Sequence, residues 1–304
     1  MDFLTEAKIE HIEVTENIVV HRRSGTKLNE GNITCINTDE GLVFIDAGRI
    51  AEVAKKFREA MEKRFNKKAK LLILTHTHND HFFGIEAFKD LPIYASQQAF
   101  EGYKKYEQEG KLSKEYRQGF IEAIKEKAAN GEFTLAEEWH NDFAVNYLKA
   151  NIFPITVGIS DEKAFGSQEQ RLLFKVIGGH SEDSAYLHYI PENILITGDN
   201  FNCSHAENSP CMLANMKSKG IEILQMFENL KPTKVIPGHG SVVDSNYITK
   251  TRKYFEAIFA KIKELKESGL SLEEVKKHPD LPEFFEDEKH SQWDRIMSSW
   301  YTQL

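Results

Sequence analysis

The residues of this chain best suited to chemistry are histidines and aspartates that follow short apolar runs. The segment Thr75-His76-Thr77-His78-Asn79-Asp80-His81 comes directly after the apolar run 71–74 and sets three histidines and a carboxylate almost side by side. In extended chain, residues two apart point to the same side, so His76 and His78 can reach one ion together. If the chain then turns, Asp80 and His81 face a neighbouring ion, and Gly84 lets the backbone pass close by. A solvated loop or an expression tag would also cluster histidines, but a tag would not follow an apolar strand.

Three further candidates repeat the arrangement. Gly178-Gly179-His180-Ser181 follows the run 172–177, Gly198-Asp199 follows 194–197, and Pro237-Gly238-His239-Gly240 follows 234–236. A lone His or Asp beside glycine is ordinarily a turn residue. Taken in this order behind the first cluster, the three make a ligand set. Neutral imidazoles and carboxylates suit zinc, with iron or manganese also compatible, and they leave coordination positions open for water.

The elements that must position these groups read as mixed α/β. Short β-rich runs at 8–14, 18–21, 33–37 and 42–45, with Asp39-Glu40-Gly41 between the last two, predict antiparallel strands joined by tight turns. Val53, Phe57, Met61 and Phe65 recur at helical spacing before 71–74, giving strand, helix, strand. A second β-rich block at 172–177, 185–190 and 194–197 precedes a helix around 221–230 and a strand at 234–236. Residues 97–151 read as an inserted subdomain of three helices. Tyr116, Phe120 and Ile124 form one stripe there, and Leu135, Trp139, Phe143 and Tyr147 form another behind a Thr134-x-x-Glu137 capping box. The segment 244–304 is expected to be helical, with a Ser271-x-x-Glu274 box and a stripe of Trp293, Ile296, Met297 and Trp300. No linker breaks the chain, so residues 1–304 are expected to form a single domain.

Composition narrows the function. The net charge of −8 is spread along the sequence, which opposes long-range attraction to nucleic acid or an anionic membrane. No apolar run is long enough to span a bilayer, and the start shows no cationic segment followed by an apolar one. Cys35, Cys203 and Cys211 lack C-x-x-C spacing, so a disulfide framework is not expected. A cytoplasmic protein acting on a small-molecule substrate is the expectation, with no nucleic-acid or membrane partner.

The ordered set H-x-H-x-D-H, Gly-His, Gly-Asp and Pro-Gly-His resembles the metallo-β-lactamase superfamily over nearly the whole chain apart from the helical insertion. The resemblance implies a four-layer αββα sandwich with two Zn²⁺ at one sheet edge. It implies that His76, His78 and His180 bind one ion, that Asp80, His81 and His239 bind the other, and that Asp199 bridges them. A bridging hydroxide would be the nucleophile, with Asp80 as the catalytic carboxylate that orients it and accepts its proton. Asp46 is the expected orienter of a ligand imidazole, with Ser181 as a second candidate. His205 and Cys203 are expected to be non-ligands.

Among the superfamily's activities, the Asp at 199 points away from true β-lactamases and towards glyoxalase II, lactonases and phosphodiesterases. Asp199-Asn200-Phe201-Asn202-Cys203 lacks the Tyr of lactonases, and a basic glutathione-binding cluster is not evident. The expected function is hydrolysis of a small ester, thioester or lactone-like bond. β-Lactam or phosphodiester hydrolysis, an iron-dependent persulfide dioxygenase and a non-catalytic scaffold are the alternatives. The insertion is expected to be either a substrate lid or a contact between subunits of a homo-oligomer.

Overall fold

The computed structural model describes residues 8–24, 30–132, 144–203, 218–282 and 293–304. The chain divides into two compact units, Met1–Glu162 and Lys163–Leu304.

The first unit holds a seven-stranded sheet in sequential order: β1 (Lys8–Glu13), β2 (Ile18–Ser24), β3 (Ile33–Thr38), β4 (Gly41–Ile45), β5 (Ala69–Ile73), β6 (Ile93–Ser96) and β7 (Val157–Ile159). Strands β1 to β4 pair antiparallel, as their turn-punctuated sequence predicts. From β4 onwards the pairing is parallel. Helix α1 (Ala51–Phe65) makes the first crossover, burying Val53, Phe57 and Met61 at the anticipated positions. Phe57 stands edge-on to Phe44 of β4, with ring centroids 5.9 Å apart. Cys35 of β3 is buried in the same core, and burial pushes its thiol up.

Strands β6 and β7 are not among the expected strands. Each is only a few residues long, and β6 has both faces covered, so no alternation of polar and apolar side chains marks it. A short helical turn, α2 (Asn79–Phe82), follows β5.

The segment 97–151 begins with α3 (Gln97–Gln108) and α4 (Lys114–Ala129), and α5 (Ala144–Lys149) closes it. Thr134, Leu135, Glu137, Trp139 and Phe143 lie outside the described residues. On α4 the anticipated stripe is corrected by one position: Tyr116 and Phe120 are exposed, and the buried side chains are Arg117 and Ile121. Arg117 donates to the carbonyls of Tyr147 and Ala150, the latter at 2.8 Å, so a buried guanidinium caps the end of α5. The ring of Tyr147 stacks on Phe83, centroids 5.2 Å apart.

The second unit carries a five-stranded sheet in the order β12-β11-β10-β9-β8: β8 (Glu162–Phe165), β9 (Leu172–Val176), β10 (Ala185–Tyr189), β11 (Ile194–Ile196) and β12 (Lys234–Ile236). Four of these strands are the anticipated ones to within two residues. The fifth, β8, is short and largely exposed.

Helices α6 (Ser218–Asn229), α7 (Ser245–Glu267), α8 (Leu272–Val275) and α9 (Trp293–Gln303) complete the unit. The Ser271 box is present, its N–H donating to Glu274 Oε2 at 2.8 Å. Met297 and Trp300 are buried, with Trp300 packing on Phe255 at 5.2 Å. Among the described residues, no helix is long and apolar enough to cross a membrane.

Candidate metal centre

In the first unit the H-x-H-x-D-H segment leaves the end of β5 and turns into α2, with His78 as the extended residue that starts the turn. This local geometry gathers the imidazoles. The ring of His76 lies 4.7 Å from that of His78 and 4.4 Å from that of His81, centroid to centroid. His76 and His81 are buried, His78 is exposed and Asp80 is half-buried. The ligand atoms of His76 and His78 come within 4.8 Å of each other, as do those of Asp80 and His81.

Asp46, at the end of β4, holds this loop in place. Its Oδ1 accepts the Thr75 N–H at 2.7 Å, and its Oδ2 accepts the Thr75 hydroxyl at 2.8 Å. Oδ2 also lies 2.8 Å from His81 Nδ1. A carboxylate there accepts a hydrogen bond from Nδ1–H and so leaves Nε2 with its lone pair free for a cation, which is the role expected of Asp46. The contact continues along the backbone: Ala47 N–H donates to the His81 carbonyl at 2.7 Å and Gly84 N–H to the Gly48 carbonyl at 2.8 Å. A Cβ on Gly84 would lie 2.0 Å from the Ala47 carbonyl oxygen, so the close approach anticipated at Gly84 is real.

Two residues here escaped the sequence reading. Thr75 reads only as a strand end, although its hydroxyl lies between Asp46 and His76 Nδ1, 3.1 Å from the latter. Arg49 is buried, with Nη2 3.8 Å from Asp80 Oδ2. Its place just after Asp46-Ala47-Gly48 was the available signal.

In the second unit His180, Asp199 and His239 converge, all buried. Asp199 sits in the 3₁₀ turn Gly198–Asn200 and divides its carboxylate between the two rings. Oδ2 lies 3.4 Å from His180 Nε2, and Oδ1 lies 3.2 Å from His239 Nε2. The approach depends on Gly238, where a Cβ would fall 2.1 Å from Asp199 Oδ1.

Ser181 does not serve an imidazole. Its hydroxyl donates to Asp183 Oδ1 at 2.5 Å and lies 2.7 Å from Ser184 Oγ, so it closes the turn after His180. Cys203 is buried, its N–H donating to the His239 carbonyl at 2.9 Å. His205 lies outside the described residues.

Each set of donors is thus drawn from the nitrogen and oxygen chemistry that borderline divalent ions prefer. A family model described as the metallo-beta-lactamase superfamily matches residues 27–239. The chain belongs to the metallo-β-lactamase superfamily.

With that membership, the chain carries His/Asp groups that could hold a metal ion. Curated relatives in the superfamily include the "Metallo-beta-lactamase type 2" of Bacillus sp. (strain 170), 33% identical over 90 residues. That stretch is 29% of this chain and 35% of the relative. The protein of the same name from Elizabethkingia meningoseptica is 36% identical over 90 residues, 28% of this chain and 35% of that one. The chain therefore matches only about a third of these relatives' length.

Among solved structures, a metallo-β-lactamase from Pontibacter korlensis aligns with TM-score 0.56 and 19% identity over 81% of this chain and 98% of that chain. The stereoselective inverting sec-alkylsulfatase Pisa1 from Pseudomonas sp. aligns with TM-score 0.61 and 17% identity over 97% of this chain and 50% of that one. At these identities the likeness establishes the α/β metallo-β-lactamase fold, two sheets with their helices, and nothing of substrate.

Proposed function

We propose that the chain is a binuclear metallohydrolase acting on a small ester, thioester or lactone-like substrate. The observation that carries this reading is the divided carboxylate of Asp199, one oxygen towards His180 and the other towards His239. A carboxylate so placed suits a ligand shared by two cations. His76, His78 and His180 would hold one ion and Asp80, His81 and His239 the other, with Asp199 common to both. When bound, such a pair supplies Lewis acidity and a water acidified to near neutrality; zinc fits the donors, as do iron and manganese.

The chain's own groups do the rest. Asp46 fixes the tautomer and tilt of His81, and Thr75 relays that hold to His76 Nδ1. Asp80 is the acceptor for the nucleophile's proton, and the Arg49 guanidinium beside it keeps the carboxylate in place. The buried thiols of Cys35 and Cys203 suit the reducing cytoplasm.

The test is elemental analysis of the purified protein, expected to give about two equivalents of metal per chain. It would be joined to a substrate screen covering carboxylic esters, thioesters, lactones, phosphodiesters and a secondary alkyl sulfate. Metal near zero after reconstitution would overturn the reading. A second reading, β-lactam hydrolysis, is favoured by the name shared by the curated relatives; a β-lactam is therefore added to the screen, and its turnover alone would select that reading.

A further inference from the structure

The loop that carries Asp199 reads Gly198-Asp199-Asn200-Phe201-Asn202-Cys203, and both of its asparagines are buried, at 1% and 4% exposure. Neither points its amide at solvent or at a strand. Asn200 Oδ1 accepts the backbone N–H of His180 at 2.9 Å, and its Nδ2 donates to the Gly178 carbonyl at 3.0 Å. Asn202 Oδ1 accepts the backbone N–H of His239 at 2.9 Å. Each ligand histidine is preceded by glycine, Gly179 at φ 107° and Gly238, so the preceding residue has no side chain of its own to anchor the backbone there. The side-chain amides take that place, since a buried N–H must find an acceptor and these supply one from a single direction.

We propose that Asn200 and Asn202 are positioning residues: they index His180 and His239 to Asp199, so that one short loop sets the spacing of all three ligands in this unit. The proposal deepens the metallohydrolase reading and rests on it. The two amides differ in a way that makes the role testable. Asn200 uses both ends, whereas Asn202 Nδ2 is buried without a hydrogen-bond partner among the described residues. A carboxylate isostere at 202 keeps the acceptor for His239 and gives up a donor that has no partner among the described residues. The same replacement at 200 keeps the acceptor for His180 but sets an oxygen against the Gly178 carbonyl, where two acceptors repel.

The experiment loads the full chain with cobalt(II) and reads affinity and ligand-field absorption bands, with no substrate present. Asn202→Asp is expected to keep the wild-type bands. Asn202→Leu and Asn200→Asp are expected to shift the bands and to weaken cobalt binding about tenfold or more, the scale seen when groups orienting a metal ligand are lost. If Asn202→Leu fails to fold by circular dichroism, Asn202→Ala replaces it with the same expectation. Wild-type bands and affinity in Asn202→Leu or Asn202→Ala would overturn the proposal. So would a loss in Asn202→Asp as large as in the apolar variants. A wild-type chain that binds no cobalt overturns the metal reading itself, and the proposal with it. Cobalt binding by the wild type with indifferent variants overturns the proposal alone.

Discussion

The carboxylate of Asp46 meets His81 Nδ1 at 2.8 Å from a backbone held in the left-handed region, at φ 59°. Aspartate and asparagine tolerate that conformation better than other side chains with a Cβ, so position 46 combines a turn with a ligand orienter. Asp46→Asn keeps the backbone and removes the charge. It is expected to reduce metal affinity by about 10- to 100-fold with the thermal midpoint of the metal-free protein little changed. Competition against a chelator of known affinity measures this, and an unaltered affinity would remove Asp46 from the ligand-orienting role.

Gly238→Ala places a methyl where Asp199 Oδ1 now lies, at 2.1 Å. The carboxylate must move, and so must the Gly198–Asp199 backbone, whose atoms lie 2.7 and 2.8 Å from the added Cβ, so metal content after dialysis is expected to fall at least several-fold while strands β9 to β12 persist. Gly119→Ala supplies the contrast, since a Cβ there meets nothing within 4 Å and the residue sits inside α4. It is expected to stabilise the protein by about 0.5–1 kcal/mol in urea unfolding.

Asp80→Asn removes the proton acceptor and a proposed metal ligand together, and leaves the loop hydrogen bonds around Asp46 in place. Turnover is expected to drop by about 10²- to 10⁴-fold, chiefly in kcat, with circular dichroism unchanged. Steady-state kinetics on whichever substrate the screen identifies decides it, and wild-type kcat would exclude Asp80 from the chemistry.

Arg117→Met deletes the donors that cap α5 at Tyr147 and Ala150. Hydrogen bonds from a charged group to buried carbonyls contribute on the order of 1.5–3 kcal/mol, so a loss of about 2–3 kcal/mol is expected. Amide exchange should quicken first across residues 144–150. Uniform quickening of exchange across the unit would instead mean that Arg117 supports the whole core.

What the sequence could reveal follows from how local each cause is. His76 to His81 are nearly contiguous and sit behind an apolar strand, so their gathering was legible from spacing alone. Asp46 was legible through family resemblance, because its partners lie far along the sequence, in the loop after β5 and in α2. Arg49 and Thr75 stand beside recognised motifs, but their roles rest on contacts made only once the neighbouring loop folds, so position alone did not assign them.

The same reasoning separates the helices. On α1 the apolar positions are the buried ones, and periodicity located them. On α4 the buried face holds Arg117, whose charge is met by the carbonyls at the end of another helix, while Tyr116 and Phe120 stay exposed. Hydrophobic periodicity has no way to register a buried arginine satisfied in that manner. Strands β6, β7 and β8 carry too few alternations to be read by period, and unlike the equally short β11 and β12 they do not lead into a Gly-Asp or Pro-Gly-His segment that marks their ends.

Cys35 and Cys203 are both buried, one in each unit, and each is therefore a built-in probe of local opening. An alkylating reagent reaches the thiol only when the surrounding strands or loop let go, so the labelling rate reads the opening equilibrium of that unit directly. In a Cys211→Ser background, the two sites can be followed separately by peptide mass. Coincident rates as urea rises would show the two units opening as one cooperative body, and divergent rates would rank them. The distribution of two cysteines thus gives the protein an internal measure of its own cooperativity, with no engineered label.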